Sequence, residues 1–169
     1  MDLNKFIKEN ETYVDFLNNQ FRVKRRKHLC LIKYDYSRKN FEHSWERLCR
    51  GCIIDTITNK IVCLPPRKAL DYCDDVIIDS TYQCQPLLDG TMINMFYDNE
   101  TWNISTRSDI GGNNRWNHMS IKQMIEQCCD YPTLCNSLNK QYCYSFVMNH
   151  KSIRNVSNVS ENKLTLVEQ

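Results

Sequence analysis

Long apolar runs are missing from this sequence. No stretch approaches the roughly 18 consecutive apolar residues that cross a bilayer, and the opening Met1-Asp2-Leu3-Asn4-Lys5 lacks the apolar centre of a secretory signal. The expectation is an intracellular, cytoplasmic protein with no membrane partner. A strong net charge is missing too. Twenty-two basic and 20 acidic residues leave +2, so no global basic field announces nucleic acid. No internal repeat or low-complexity linker divides the 169 residues, which suit one domain, 1–169, with a sizeable core. Hydrophobic content of 41% with 25% charged residues is that of a folded chain rather than a disordered one.

A second cysteine pair for zinc is also lacking. Cys49-Arg50-Gly51-Cys52 has the spacing, but Cys128-Cys129 with Cys135 is no clean knuckle. In a strand, moreover, Cys49 and Cys52 would point to opposite faces. No metal is therefore expected. Cysteine itself is plentiful: there are ten, and an intracellular setting keeps them mostly reduced. Cys30, Cys52, Cys63, Cys84 and Cys143 fall inside apparent strands, where a thiol acts as a small buried hydrophobe.

The apolar pattern predicts a helix over 2–20, from Leu3, Phe6, Ile7, Tyr13, Val14, Phe16 and Leu17. A basic run, Arg22 to His28, then leads into a strand over 29–34, and 35–46 is polar and irregular. Residues 48–55 and 60–64 read as a hairpin that Pro65-Pro66 stops, because proline cannot donate to a ladder. An acidic patch, Asp71, Asp74, Asp75 and Asp79, follows. Three antiparallel strands are expected at 82–88, 91–97 and 101–106, the first two joined by a tight turn at Asp89-Gly90. Ser120 with Gln123 has capping-box spacing for a helix over 121–128, and Pro132 opens another through Leu138. Strands at 142–148 and 163–167 complete an α+β, antiparallel β-rich chain with flanking helices.

Three blocks in order carry a resemblance. The first is Cys49-Arg50-Gly51-Cys52-Ile53-Ile54-Asp55 with Pro65-Pro66-Arg67-Lys68. The second is Leu87-Leu88-Asp89-Gly90-Thr91-Met92-Ile93 with Thr106-Arg107. The third is Tyr144-Ser145-Phe146-Val147-Met148-Asn149-His150-Lys151-Ser152-Ile153-Arg154-Asn155-Val156 with Leu164-Thr165-Leu166-Val167. From about Leu29 onward the chain resembles the N-terminal adenylyltransferase domain of phage-type RNA ligases and their viral relatives. The resemblance implies a covalent nucleotidyltransferase (ATP-grasp-like ligase) fold and, for a viral chain, the host-cell cytoplasm. In that family a lysine two residues before the Asp-Gly attacks the α-phosphate of ATP, with Mg²⁺ neutralising the phosphates, and AMP then passes to an RNA 5′-phosphate.

Leu87 stands at that lysine position, and leucine has no lone pair to attack with. Lys151 and Ile153 replace the family's proline and asparagine, and the later acidic-Gly and Lys-x-Lys strands are absent. The implied domain is thus truncated and catalytically degenerate, binding a nucleotide or RNA ends or serving as a scaffold for a protein partner. The alternatives are a ligase or capping-type enzyme that uses another lysine or a partner chain, and a purely structural protein. Asp89, Gly90 and Thr91 are either the frame of a nucleotide pocket or only a turn. Arg50 and Lys68 contact nucleotide phosphates or form surface ion pairs, and Lys68 is the one nearby amine that could replace the nucleophile. Phe146 stacks on adenine or fills the core. Arg107 and Arg154, with Arg25 and Arg26 of the basic run, contact RNA phosphates or lie on a solvated face. His150 is either a hydrogen-bonded or a reacting side chain.

Overall fold

The computed structural model describes residues 2–35, 41–70, 79–116 and 118–169. Asp71, Asp74 and Asp75 of the acidic patch lie outside the described residues; Asp79 caps a turn by accepting from the Thr81 amide at 2.9 Å.

The N-terminal segment is two helices, not one: α1 (Leu3–Glu9) and α2 (Tyr13–Gln20). The break has a local cause. Asn10 turns its side chain onto the chain ahead, and its Oδ1 accepts from the amide and the hydroxyl of Thr12 at 3.1 and 2.9 Å. Such Asx contacts offer the backbone an alternative to the helix ladder.

Next come β1 (Arg22–Arg26), β2 (Leu29–Lys33), a 3₁₀ turn (Ser44–Leu48), β3 (Arg50–Asp55) and β4 (Lys60–Cys63). They form an antiparallel sheet in the order β1-β2-β3-β4. The basic run is therefore itself the edge strand β1. The expected 48–64 hairpin is present as β3–β4, turned by Asp55, whose carboxylate accepts from the Ile57 and Thr58 amides and the Thr58 hydroxyl.

Beyond them lie β5 (Thr91–Asp98), β6 (Thr101–Ser105), the two-residue β7 (Arg115–Trp116) and β8 (Met119–Ser120), α3 (Ile121–Cys128), α4 (Tyr131–Ser137), β9 (Tyr144–Asn149) and β10 (Lys163–Glu168). The second large sheet runs β10-β9-β5-β6. The predicted capping box is formed: Ser120 Oγ accepts from the Gln123 amide, and Gln123 returns the bond to the Ser120 amide at 2.8 Å.

The strand expected at 82–88 is not one. Those residues are irregular and exposed, Cys84 among them. The physical reason lies in the second sheet. The edge of β5 that such a strand would occupy is paired with β9, from Thr91 opposite Met148 to Met95 opposite Tyr144. The three-strand meander is replaced by a pairing between residues about fifty positions apart.

Strand alternation sorts the apolar residues into three clusters between four layers of elements. Cys30, Ile32, Cys52 and Ile54 face α1, α2 and the fully buried Trp45, whose ring stacks on Phe6 at 4.9 Å. Leu29, Leu31, Ile53 and Cys63 face the other way and meet Phe96 and Ile110 of the second half. On the far side Ile93, Met95, Ile104, Phe146 and Met148 pack under Ile121, Met124 and Ile125 of α3. The order is helices, sheet, sheet, helices. The central strands are covered on both faces, so β2 reads Leu-Cys-Leu-Ile before its terminal Lys33. Among the described residues the chain is thus α+β, with two four-stranded antiparallel sheets, the two-stranded β7–β8 pair and four α-helices.

Gly51 locks the two halves at one point. Its φ is +106°, and β3 bulges there, since Cys52 pairs with Ile32 while Arg50 pairs with Lys33. A Cβ on Gly51 would sit 2.9 Å from the Arg107 Cα and 3.1 Å from the Thr106 carbonyl oxygen. The bulge also overturns the expectation that Cys49 and Cys52 face apart: both are fully buried in the same helix-facing core cluster. Gly51→Ala combines a disfavoured φ with a backbone overlap, and is expected to lower stability by about 1–3 kcal/mol. Urea unfolding followed by far-UV circular dichroism measures the loss.

Candidate functional site

Three of the cations singled out in the sequence come together, each carried by a different segment. Arg50 opens β3, Lys68 follows the Pro65-Pro66 stop, and Arg107 follows β6. The positions are built locally. The Gly51 bulge brings the start of β3 against the Thr106–Arg107 backbone. Arg47, in the 3₁₀ turn, grips the Lys68 carbonyl with Nε and Nη2 at 3.0 and 2.6 Å, while the Lys68 amide donates to the Arg47 carbonyl at 2.9 Å.

Around them sit two aromatic rings. The Arg107 guanidinium lies 4.9 Å from the Tyr34 ring centroid, and its Nη2 donates to the Tyr34 carbonyl at 3.4 Å. The Lys68 ammonium is 5.4 Å from the Phe41 ring and 5.9 Å from that of Tyr34. Tyr34 and Phe41 meet edge to face at 5.3 Å. Cation–π contact of this kind holds a charge in place while leaving its N–H groups able to bind an anion.

Arg50 and Arg107 also line a cavity of about 50 Å³ with Pro65, Pro66 and Met92. Ligand pockets for whole small molecules are several hundred Å³, so this hollow matches a phosphate-sized group and not a buried nucleoside. Neither Arg50 nor Lys68 makes an ion pair among the described residues. None of the cavity's lining residues is a carboxylate. Negative charge there would be met by the two guanidinium groups; a Mg²⁺ ion, which takes oxygen ligands, finds none among those side chains.

Asp89 joins the second and third sequence blocks in space. Its Oδ2 accepts from the Ser157 amide at 2.8 Å and the Ser157 hydroxyl at 3.1 Å, and Asn149 Nδ2 donates to its carbonyl at 2.7 Å. Gly90 enters β5 beside β9, where a Cβ would meet Val147 Cγ1 at 2.6 Å. It therefore serves close strand approach rather than the hairpin turn expected. Thr91 is half-buried at the start of β5. Leu87 is 99% exposed. It borders an open hollow of about 410 Å³ with Leu88, Asp89, Asn149, Ser157 and Lys163. Arg154 is exposed on the neighbouring loop and lines a second hollow of about 310 Å³.

The remaining sequence-predicted residues are placed otherwise. Phe146 is 4% exposed and belongs to the core under α3, close to Tyr144. Lys24 pairs with Asp109, Arg26 donates to the Ile110 carbonyl at 2.6 Å, and His28 meets Asp98 at 3.0 Å. These contacts fasten β1 to the second half of the molecule. Arg25 reaches Asn18 at 3.4 Å, and Arg22 pairs with Asp35. The basic run is thus engaged within the chain, although Arg25 and Arg26 remain exposed. His150 is buried: Nδ1 accepts from the Ser152 amide at 3.1 Å, so Nε2 donates to Gln127 Oε1 at 3.0 Å. Burial pushes its pKa down and keeps it neutral.

Sequence reasoning passed over Tyr34, Phe41 and Arg47. Their roles arise from contacts between segments, and only the run of aromatic and basic residues near 34–47 hinted at them. It also passed over Glu42, His43 and Glu46, whose ligand-type atoms lie within 4.8 Å of one another. His43 and Glu46 there form a capping box for the 3₁₀ turn.

Comparison with family models, with curated proteins and with solved structures finds no match to this chain.

The Asp89 carboxyl is held below the ordinary 3.8, chiefly by the Ser157 amide, with a small opposing effect of burial and further help from the Ser157 hydroxyl. A depressed carboxyl holds its partners above its ordinary pKa and releases them as pH falls through the lowered value. The Ser157 amide proton resonance is therefore expected to titrate with a midpoint below 3.8 and to stop titrating in Asp89→Asn. An NMR pH series on both proteins reads this directly.

Proposed function

We propose that this chain is a degenerate RNA-ligase-like nucleotidyltransferase domain that binds the phosphate of a nucleotide or RNA end without forming a covalent adduct. The observation that carries the reading is that Arg50 and Arg107 line a phosphate-sized hollow, while Lys68 approaches the same Tyr34 ring as Arg107. These three cations come from the segments that resemble the ligase motifs, and two of them are without a carboxylate partner among the described residues. Arginine suits the task, because its planar fork bonds two phosphate oxygens at once.

Leu87 supports the non-covalent half of the proposal. It stands where the family's nucleophile would be, and its side chain is in solvent. The exposed residues Arg25, Arg26 and Arg154 extend the basic surface available to an RNA backbone. ATP or an RNA 5′-phosphate is the ligand proposed, in a cytoplasmic setting and with no membrane. Among the described residues no helix is long and apolar enough to cross one.

The test uses α-labelled ATP or GTP with Mg²⁺, and 5′-phosphorylated RNA. Binding of RNA is expected to weaken with added salt, and Arg50→Ala or Arg107→Ala to weaken it by about tenfold or more, the scale of a lost charged hydrogen bond. No label is expected to survive denaturation. Covalent label that disappears in Lys68→Ala would instead identify an active nucleotidyltransferase. Absence of ATP and RNA binding at micromolar concentration would identify a purely structural protein. Leu87→Lys is expected to stay unlabelled, because an ammonium at so exposed a position remains hydrated and protonated near its ordinary pKa of about 10.4.

A further inference from the structure

We infer that Cys63 and Cys143 form a redox-modification site, a thiol pair that peroxide converts to a disulfide tying the two sheets together. The argument begins with place. Cys63 ends β4 and is 1% exposed, in the cluster where the first sheet meets Phe96 and Ile110 of the second half. Cys143 immediately precedes β9 and packs against that cluster while remaining only half-buried. The two thiols lie near enough for each to shift the other's ionisation. The Cys143 sulfur also accepts from the Leu64 amide at 3.3 Å, with the Leu64 carbonyl 3.7 Å away. One sulfur is thus reachable from solvent, the other is shielded, and the chain next to the shielded one grips the reachable one.

The surroundings divide the roles. The Cys63 thiol and then the Leu64 amide stabilise negative charge on Cys143, against an opposing effect of burial, and lower its pKa to about 6. Cys63 is pushed the other way, first by the neighbouring Cys143 sulfur and then by burial. Cys143 is therefore the thiolate that reacts, and Cys63 the thiol that resolves. The other thiols in the first sheet, Cys30 and Cys52, are buried and have raised pKa values, so they lack both access and charge.

The chemistry balances with hydrogen peroxide as oxidant. The Cys143 thiolate attacks one peroxide oxygen; an S–O bond forms, the O–O bond breaks, and the departing hydroxide takes a proton to become water. Cys143 is now a sulfenic acid, oxidised by two electrons. Cys63 then gives up its proton and attacks the Cys143 sulfur. The S–S bond forms, the S–O bond breaks, and a second water leaves. The net change is two thiols and one peroxide to one disulfide and two waters; a dithiol reductant reverses it by exchange. The bond would fix the chain just ahead of Pro65-Pro66, which line the Arg50–Arg107 hollow.

The deciding experiment is a non-reducing peptide map of the folded, wild-type chain before and after a few equivalents of hydrogen peroxide. The expected product is one cross-linked peptide pair joining Cys63 to Cys143, lighter by two hydrogens than the two reduced peptides and lost on dithiothreitol. In Cys63→Ala, dimedone is expected to trap a sulfenic acid at Cys143; in Cys143→Ser, Cys63 is expected to stay reduced. Oxidation confined to exposed Cys84, or cross-links scattered among other cysteines, would overturn the inference. The wild-type map decides even if either variant fails to fold.

Discussion

Gly51 and the backbone of Thr106–Arg107 touch where no side chain fits between them, and much of the molecule's organisation follows from that contact. The bulge it occupies turns Arg50 out of the strict strand alternation and keeps Cys49 and Cys52 in one core. It also sets the start of β3 against the end of β6. Only in that arrangement do Arg50 and Arg107, fifty-seven positions apart in the numbering, border the same hollow.

The seam between the sheets continues from this point in two characters. Part of it is apolar, with Leu29, Leu31, Ile53 and Phe96 excluding water. Part of it is polar, with Ser145 donating to Asn94 at 2.9 Å in full burial. Around its rim, ionic and hydrogen-bonded contacts hold the edges: Lys24 with Asp109, His28 with Asp98, Lys33 with Ser108 at 2.8 Å. The exposed ones among them are worth little singly, whereas His28 and Asp98 are largely buried. Spread over β1, the turn after it and the end of β2, they give the basic run a structural occupation that its charge alone does not suggest. The thiol pair sits at the same seam, so chemistry there acts on the relation between the sheets rather than on either one.

Several elements whose governing contact lay within a few residues were legible beforehand. The capping box at Ser120 and Gln123, the hairpin turned by Asp55, and the proline stop after β4 depend on neighbours three or four positions away. The N-terminal helix is the exception among local features: its apolar spacing is continuous, but Asn10 supplies a competing local bond that breaks it in two. The strand expected at 82–88 failed differently. Its alternation is genuine, yet β9 holds the edge of β5. The cations Arg50, Lys68 and Arg107 were recognisable from their motifs, whereas Tyr34, Phe41 and Arg47, which place two of them, carry no signature of their own.

By itself, the amino-acid sequence determined an α+β chain, the elements set by periodicity and capping, and a side chain at Leu87 that carries no amine. Tertiary structure decided the rest. It placed β9 beside β5, put Phe146 in the core under α3, bound Asp89 to Ser157, and gathered three cations around two aromatic rings. The division has a physical origin. Backbone propensity and capping act over one or two turns of chain, while sheet partners, buried faces and charge clusters are chosen by packing between segments that sequence order keeps far apart.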